Sequence, residues 1–163
     1  MRNVSGKLIA TFKKIIIISC FAVLAGFMIY YFLPIQKVPA NVIIDKIVVL
    51  KSEHKLFAYS HGQMIVTYKI AIGKNPTGDK EYEGDGKTPE GIYTINAKNP
   101  KSEFHKNLGV SYPNAKDVLQ AQQWGRPVGG NIKIHGLKNG KGYIGKFQCW
   151  IDWTNGCIAL TNQ

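Results

Sequence analysis

From Ile15 to Leu33 the chain is apolar or aromatic, broken only by Ser19, Cys20 and Gly26. Wound as one helix, a run of that length matches the hydrocarbon core of a bilayer. It splits the chain into parts that cannot share one hydrophobic core. Residues 1–40 also carry Arg2, Lys7, Lys13, Lys14 and Lys37, and no Asp or Glu. Four of these cations precede the run. The positive-inside rule therefore places the N-terminus in the cytoplasm and everything after Leu33 on the far side. A cleaved signal sequence is the competing reading. The run is long for a signal's apolar region, and Tyr30-Tyr31-Phe32 suits an interfacial anchor better than a small-residue cleavage site. Ile17-Ile18-Ser19-Cys20 makes a poor lipoprotein signal, because little apolar sequence precedes Cys20. The expectation is a basic tail over 1–14, a retained transmembrane anchor over 15–33, a linker over 34–42 and a folded domain over 43–163.

Residues 41–163 hold 16 Lys/Arg and 10 Asp/Glu, a net of +6. The basic residues are scattered, which reads as a solvated surface or as attraction to an anionic polymer or lipid headgroups. Nucleic acid is excluded as a partner: no dense Lys/Arg tract with interleaved aromatics is present, and the domain is expected outside the cytoplasm. The hydrophobic fraction of 45% supports a real core, and 17 Gly with 7 Pro favour a mostly β, turn-rich domain over a helix bundle.

Strands are expected over Ile43–Leu50, Lys55–Tyr59, Gln63–Ile72, Gly91–Ala97 and Asn131–His135. Ser60-His61-Gly62 would turn the second into the third as a hairpin. His54, His61 and His105 sit in polar contexts and read as exposed residues without a functional role. Residues 73–91 are a surface loop rich in Gly and Pro. Its Gly84-Asp85-Gly86-Lys87-Thr88 is no phosphate loop, because Glu81 stands where the first Gly belongs and Pro89 stops a following helix. Ala115–Gln123 reads as a short helix capped by Asn114 and ended by Trp124-Gly125-Arg126-Pro127. Gly136–Gln148 is a Gly- and Lys-rich loop or short helix.

Chemistry concentrates at Ile132-Lys133-Ile134-His135-Gly136 and Thr154-Asn155-Gly156-Cys157. A thiol becomes a strong nucleophile when a base removes its proton, and an imidazole within reach does that. Gly156 permits a tight turn, so that main-chain N–H groups can face a developing oxyanion. The competing structural reading pairs Cys149 with Cys157 in a disulfide, as an oxidising compartment allows. Cys20 lies within the apolar run. The polar and bulky residues Asp152 to Asn155 just before Gly-Cys argue against a core cysteine.

Ile134-His135-Gly136 followed by Thr154-Asn155-Gly156-Cys157 resembles the motif of the YkuD-like L,D-transpeptidases. Gly84 to Tyr93 resembles that family's Thr-Pro-x-Gly strand entry, and Gly125-Arg126-Pro127-Val128-Gly129-Gly130 its lead into the histidine strand. The likeness runs from about Ile43 to the end. It implies a mixed β-sandwich with short helices, in the bacterial cell envelope, acting on peptidoglycan stem peptides without metal or other cofactor. Cys157 would be the nucleophile and His135 its base. The Gly136 carbonyl would orient the imidazole, and Gly156 with Cys157, joined by Asn155, would form the oxyanion hole. Tyr112, Trp153 and Thr154 would line the substrate site. The implied reaction releases D-Ala through a Cys thioester and forms a 3→3 cross-link, and a carbapenem would acylate the same sulfur. Hydrolysis by the same Cys–His site is one alternative. A non-catalytic wall-binding domain with Cys149 and Cys157 bonded is another.

The chain departs from the family pattern in three places. Asn155 and Ala159 stand where members usually have His and Arg. The chain also stops at Gln163, where members continue with a helix and a final strand. Thr161-Asn162 looks like the start of that helix, so a domain truncated at its C-terminus is expected.

Overall fold

The computed structural model describes residues 2–162, which fall into two units that part between Ile35 and Gln36. The first unit is one helix, α1 (Arg2–Phe32). Its segment Gly6–Phe32 has a mean hydropathy of 2.4 and is long and apolar enough to cross a membrane. Ile15, Ile16, Ile17 and Ile18, at successive steps around the helix, are all exposed. This stretch is therefore apolar around its circumference rather than along one stripe. The positions expected as basic tail and anchor are one continuous rod.

The second unit begins with a three-stranded antiparallel sheet, β1 (Lys46–Leu50), β2 (Lys55–Ser60) and β3 (Gln63–Lys69), in that order. His61 and Gly62 join β2 to β3 with φ of 49° and 79°. Positive φ at both central residues gives the turn a twist that matches the flanking strands. His54 (φ 51°) and His105 (φ 62°) also sit in tight turns with left-handed backbone. The third strand was expected to reach Ile72, but it ends at Lys69. There the backbone leaves β2 and bonds elsewhere: the Ala71 N–H donates to the Ala159 carbonyl at 3.0 Å, and the Ala159 N–H donates back at 2.8 Å. This exchange joins the first sheet to the second.

The second sheet has the order β4 (Ile95–Ser102), β5 (His105–Val110), β6 (Lys133–His135) and β7 (Ile158–Ala159). Its first strand starts at Ile95, later than the Gly91 expected. Gly91 holds φ 145°, and the Thr94 N–H is taken by the Ser111 hydroxyl at 2.9 Å, so the ladder cannot begin there. Between β5 and β6 lies α2 (Ala115–Gln123), with the expected Asn114 cap. The Asn114 side chain accepts from the Lys116 and Asp117 N–H groups, and the Asp117 carboxylate accepts from the Asn114 N–H. A 3₁₀ segment, Gly142–Trp150, precedes β7.

Leu56, Ile70 and Ile72 pack with Ile134 and Ile158 in one buried cluster. The core therefore draws on both sheets, as expected of a two-sheet domain with few helices, although the turn-rich run from Gly73 to Thr94 gives much of the chain to loop. A cleft of about 1500 Å³ opens along the outer edge of β1 and the segment Thr88–Ile95, with Ile132, Ile134 and Ile158 at its floor.

Candidate active site

β6 and β7 run parallel, with Ile134 opposite Ile158 and His135 opposite Ala159. One step back, the same register sets Lys133 beside Cys157. Successive side chains on a strand point to opposite faces. Ile134 and Ile158 go to the core, so Lys133 and His135 share the other face of β6, while Cys157, just before β7, turns its Sγ towards the backbone of Asn131 and Lys133. Cys157 and His135 thus come from two neighbouring strands, Cys157 two residues before the partner of His135.

His135 is buried, and its Nδ1 lies 2.6 Å from the Gly136 carbonyl. A carbonyl can only accept, so Nδ1 carries the proton and Nε2 keeps the lone pair. The ring packs against Phe104 at 4.8 Å and Trp153 at 5.8 Å between centroids. Burial lowers the imidazole pKa, the Gly136 carbonyl raises it, and the Lys133 charge lowers it again, for a net fall below 6.5. The ring is therefore neutral near pH 7 and able to accept a proton. Gly136 is required by close approach: a β-carbon there would stand 2.6 Å from Asn162 Oδ1 and 3.0 Å from His105 Cβ.

The turn before Cys157 is braced from within. Thr154 is only 4% exposed, and its hydroxyl donates to the Cys157 carbonyl at 2.7 Å while accepting from the Gly156 N–H at 3.1 Å. Gly156 has φ 133°, and a β-carbon on it would lie 2.7 Å from the Lys87 carbonyl oxygen. Cys157 Sγ lies 3.6 Å from the Asn131 carbonyl, and no hydrogen bond joins it to His135 among the described residues. Burial raises its pKa above 9.0, against the Lys133 backbone N–H and the charges of Lys133 and Lys80. The resting sulfur is a thiol that needs a base. Cys149 is a different case: burial pushes it up to about 11, and its Sγ lies 3.3 Å from the Lys69 carbonyl. All three cysteines are free, so the expected alternative of a Cys149–Cys157 disulfide is not formed.

Of the side chains expected to line a substrate site, Trp153 does stand beside His135, 37% exposed, with Nε1 donating to Gln148 Oε1 at 3.0 Å. Thr154 is a brace for the turn instead, since burial and two internal bonds use up its hydroxyl. Tyr112 is buried as well, and its hydroxyl donates to the Val128 carbonyl at 3.0 Å, so it holds the loop leading into β6. Asn155 is exposed at the tip of the turn.

Sequence reasoning overlooked two groups. Lys133 is two positions from His135 on one strand face, and the alternation Ile132-Lys133-Ile134-His135 could have revealed it. The other is the pair Lys80 and Asp85, 2.7 Å apart and nearly fully buried. The Asp85 carboxylate also accepts from the N–H groups of Glu81, Tyr82 and Lys87 at 2.7, 3.2 and 2.9 Å. It sets the loop that presses on Gly156. Among the described residues, no cluster of three His, Cys, Asp or Glu side chains could hold a metal ion.

Comparison with known families matches residues 44–163 to YkuD, the L,D-transpeptidase catalytic domain. Two curated Escherichia coli proteins, from strain K12 and from O157:H7, both named "Putative L,D-transpeptidase YafK", are 31% identical over 103 residues. The match takes in 62% of this chain and 34% of each relative, so the chain spans about a third of their length. Among solved structures, that of Bdellovibrio bacteriovorus Bd1075 aligns with a TM-score of 0.46 at 23% identity, covering 79% of this chain and 46% of that one.

Proposed function

We propose, for a chain that belongs to the YkuD family of L,D-transpeptidase catalytic domains, that it cross-links peptidoglycan stem peptides through a thioester on Cys157. The observation that supports this reading is the parallel β6–β7 pairing, with a buried His135 on β6 and Cys157 one residue before β7.

In the first half-reaction the Cys157 side chain turns from the Asn131 carbonyl towards His135, and Nε2 takes the thiol proton. Sulfur attacks the carbonyl of the third stem residue. The amide bond to D-Ala breaks, and His135 returns the proton to the leaving amine. In the second half-reaction the amine of a neighbouring stem attacks the thioester, loses a proton to Nε2, and leaves a 3→3 amide and the free thiol. Two acyl transfers replace one difficult amide exchange. The developing oxyanion is met by the Cys157 N–H, with the exposed Asn155 amide beside it. The Gly156 N–H is committed to Thr154, so its role is to shape the turn.

We read residues 15–33 as a retained single-pass anchor, 34–42 as linker and 43–163 as the catalytic domain on the extracytoplasmic side. The length and apolarity of α1 and the cations before it support this reading.

Mass spectrometry of products from defined muropeptides tests the chemistry. Cross-linked dimers plus free D-Ala are expected, and absent from Cys157→Ser. Tripeptide without dimer makes the protein a hydrolase. Wild type that leaves every muropeptide intact, with Cys157 demonstrably reduced, overturns the reading.

A further inference from the structure

We infer that the Lys133 ammonium anchors the acyl donor by pairing with a carboxylate one residue or less from the scissile amide. The inference rests on the Cys157 acylation reading above and names the part of the substrate that the site recognises.

Lys133 lies beside Cys157 in the β6–β7 register, on the same face as His135. It is half-buried, between the buried Ile132 and Ile134. Lys51, Lys55, Lys80, Lys87 and Lys116 each have a carboxylate partner, whereas Lys133 enters no ion pair among the described residues. An ammonium beside the site with no carboxylate partner is free to pair with an arriving anion. Its charge is felt at both groups: it opposes the burial that raises the Cys157 pKa and adds to the burial that lowers that of His135. The resting sulfur is protonated and carries no charge to offset the ammonium. The anion that fits must therefore come with the substrate, at a lysine's reach from the attacked carbonyl.

A stem peptide offers such a carboxylate from two sources: the C-terminus of the leaving residue, and the side chain of a diamino diacid at the third position. Equilibrium binding to the Cys157→Ala protein separates recognition from chemistry. Three donors are compared: a tetrapeptide with both carboxylates, the same peptide with a C-terminal carboxamide, and one with lysine at the third position. Adding Lys133→Met should weaken the first donor at least tenfold. It should leave unchanged whichever donor lacks the recognised carboxylate, and Lys133→Arg should restore most of the affinity. An equal loss on all three donors, or no loss, overturns the assignment. D-Ala release by wild type is measured in parallel. Turnover without carboxylate dependence sinks this inference alone. Carboxylate-dependent binding without turnover sinks the proposed reaction and leaves the anchor standing.

Discussion

The Lys87 carbonyl oxygen stands 2.7 Å from the place a β-carbon on Gly156 would take. The loop carrying Asp85 and the turn carrying Cys157 therefore meet at a point where only a glycine fits.

Gly156→Ala should cost roughly 2–4 kcal/mol, because φ 133° is strained for any β-carbon and the close carbonyl must also move. Urea denaturation of the domain measures the loss. Alkylation of Cys157 in the variant shows how far the turn has shifted.

Asp85→Ala should destabilise by about 3–5 kcal/mol, since it strands the buried Lys80 ammonium without its partner. Asp85→Leu combined with Lys80→Met should cost less than Asp85→Ala alone, and a double-mutant cycle tests this. Burial alone would raise the Asp85 pKa, but the Lys80 hydrogen bond and the N–H donors of Lys87, Glu81 and Tyr82 outweigh it, and the net shift is below 3.8. A depressed carboxylate contributes its full stability above the unfolded value of 3.8 and loses it as pH falls through the lower folded value. Acid denaturation of wild type should therefore show a transition below pH 3.8 that Asp85→Asn lacks.

In the proposed reaction neutral His135 is the active form, and its pKa is lowered from 6.5. The acid limb of kcat/KM should therefore lie below pH 6.5. Cys157 is raised from 9.0, so its alkylation by iodoacetamide without substrate should keep climbing as pH rises past 9.0. His135→Gln should lower kcat by about 10²–10⁴. Folding linkage follows the same signs. The neutral imidazole's contribution is present above 6.5 and lost as pH falls below it, whereas the buried thiol's is present below 9.0 and lost as pH rises through its higher folded value.

Thr154→Val removes one donor and one acceptor from the turn and leaves the Gly156 N–H unpaired. A loss of about 1–3 kcal/mol is expected, read from thermal melts. Thr154→Ser should recover both stability and turnover, because the hydroxyl rather than the methyl makes the two bonds.

A carbapenem should add one mole of its mass per mole of protein, on Cys157. Cys149, held up to about 11, should stay unmodified. Peptide mapping after intact-mass analysis distinguishes the two sulfurs.

Local signals announced the local structure. Asn114 just before Ala115 told of the capped α2, and Ser60-His61-Gly62 told of the hairpin. The Cys157 and His135 motifs were visible because glycines flank both. What stayed hidden was long-range. Nothing in the spacing of Lys80 and Asp85 shows that both will be buried, since burial is decided by what folds over them. Ile70 to Ile72 read as a continuing strand because apolar residues look alike whether they pair with β2 or with Ala159. Thr154 was expected to line the substrate site, and its burial could not be read because it depends on pairing with the segment around Gly73.

His135 ends β6 and Cys157 immediately precedes β7; these strands point the same way, and such strands need a long return path between them. Here that path runs over the outside from Gly136 through the 3₁₀ segment to Trp153. Insertions at the exposed Gly140 to Gly142 would thus lengthen that path while leaving the β6–β7 pairing intact, so this part of the surface can vary without disturbing how the two strands meet.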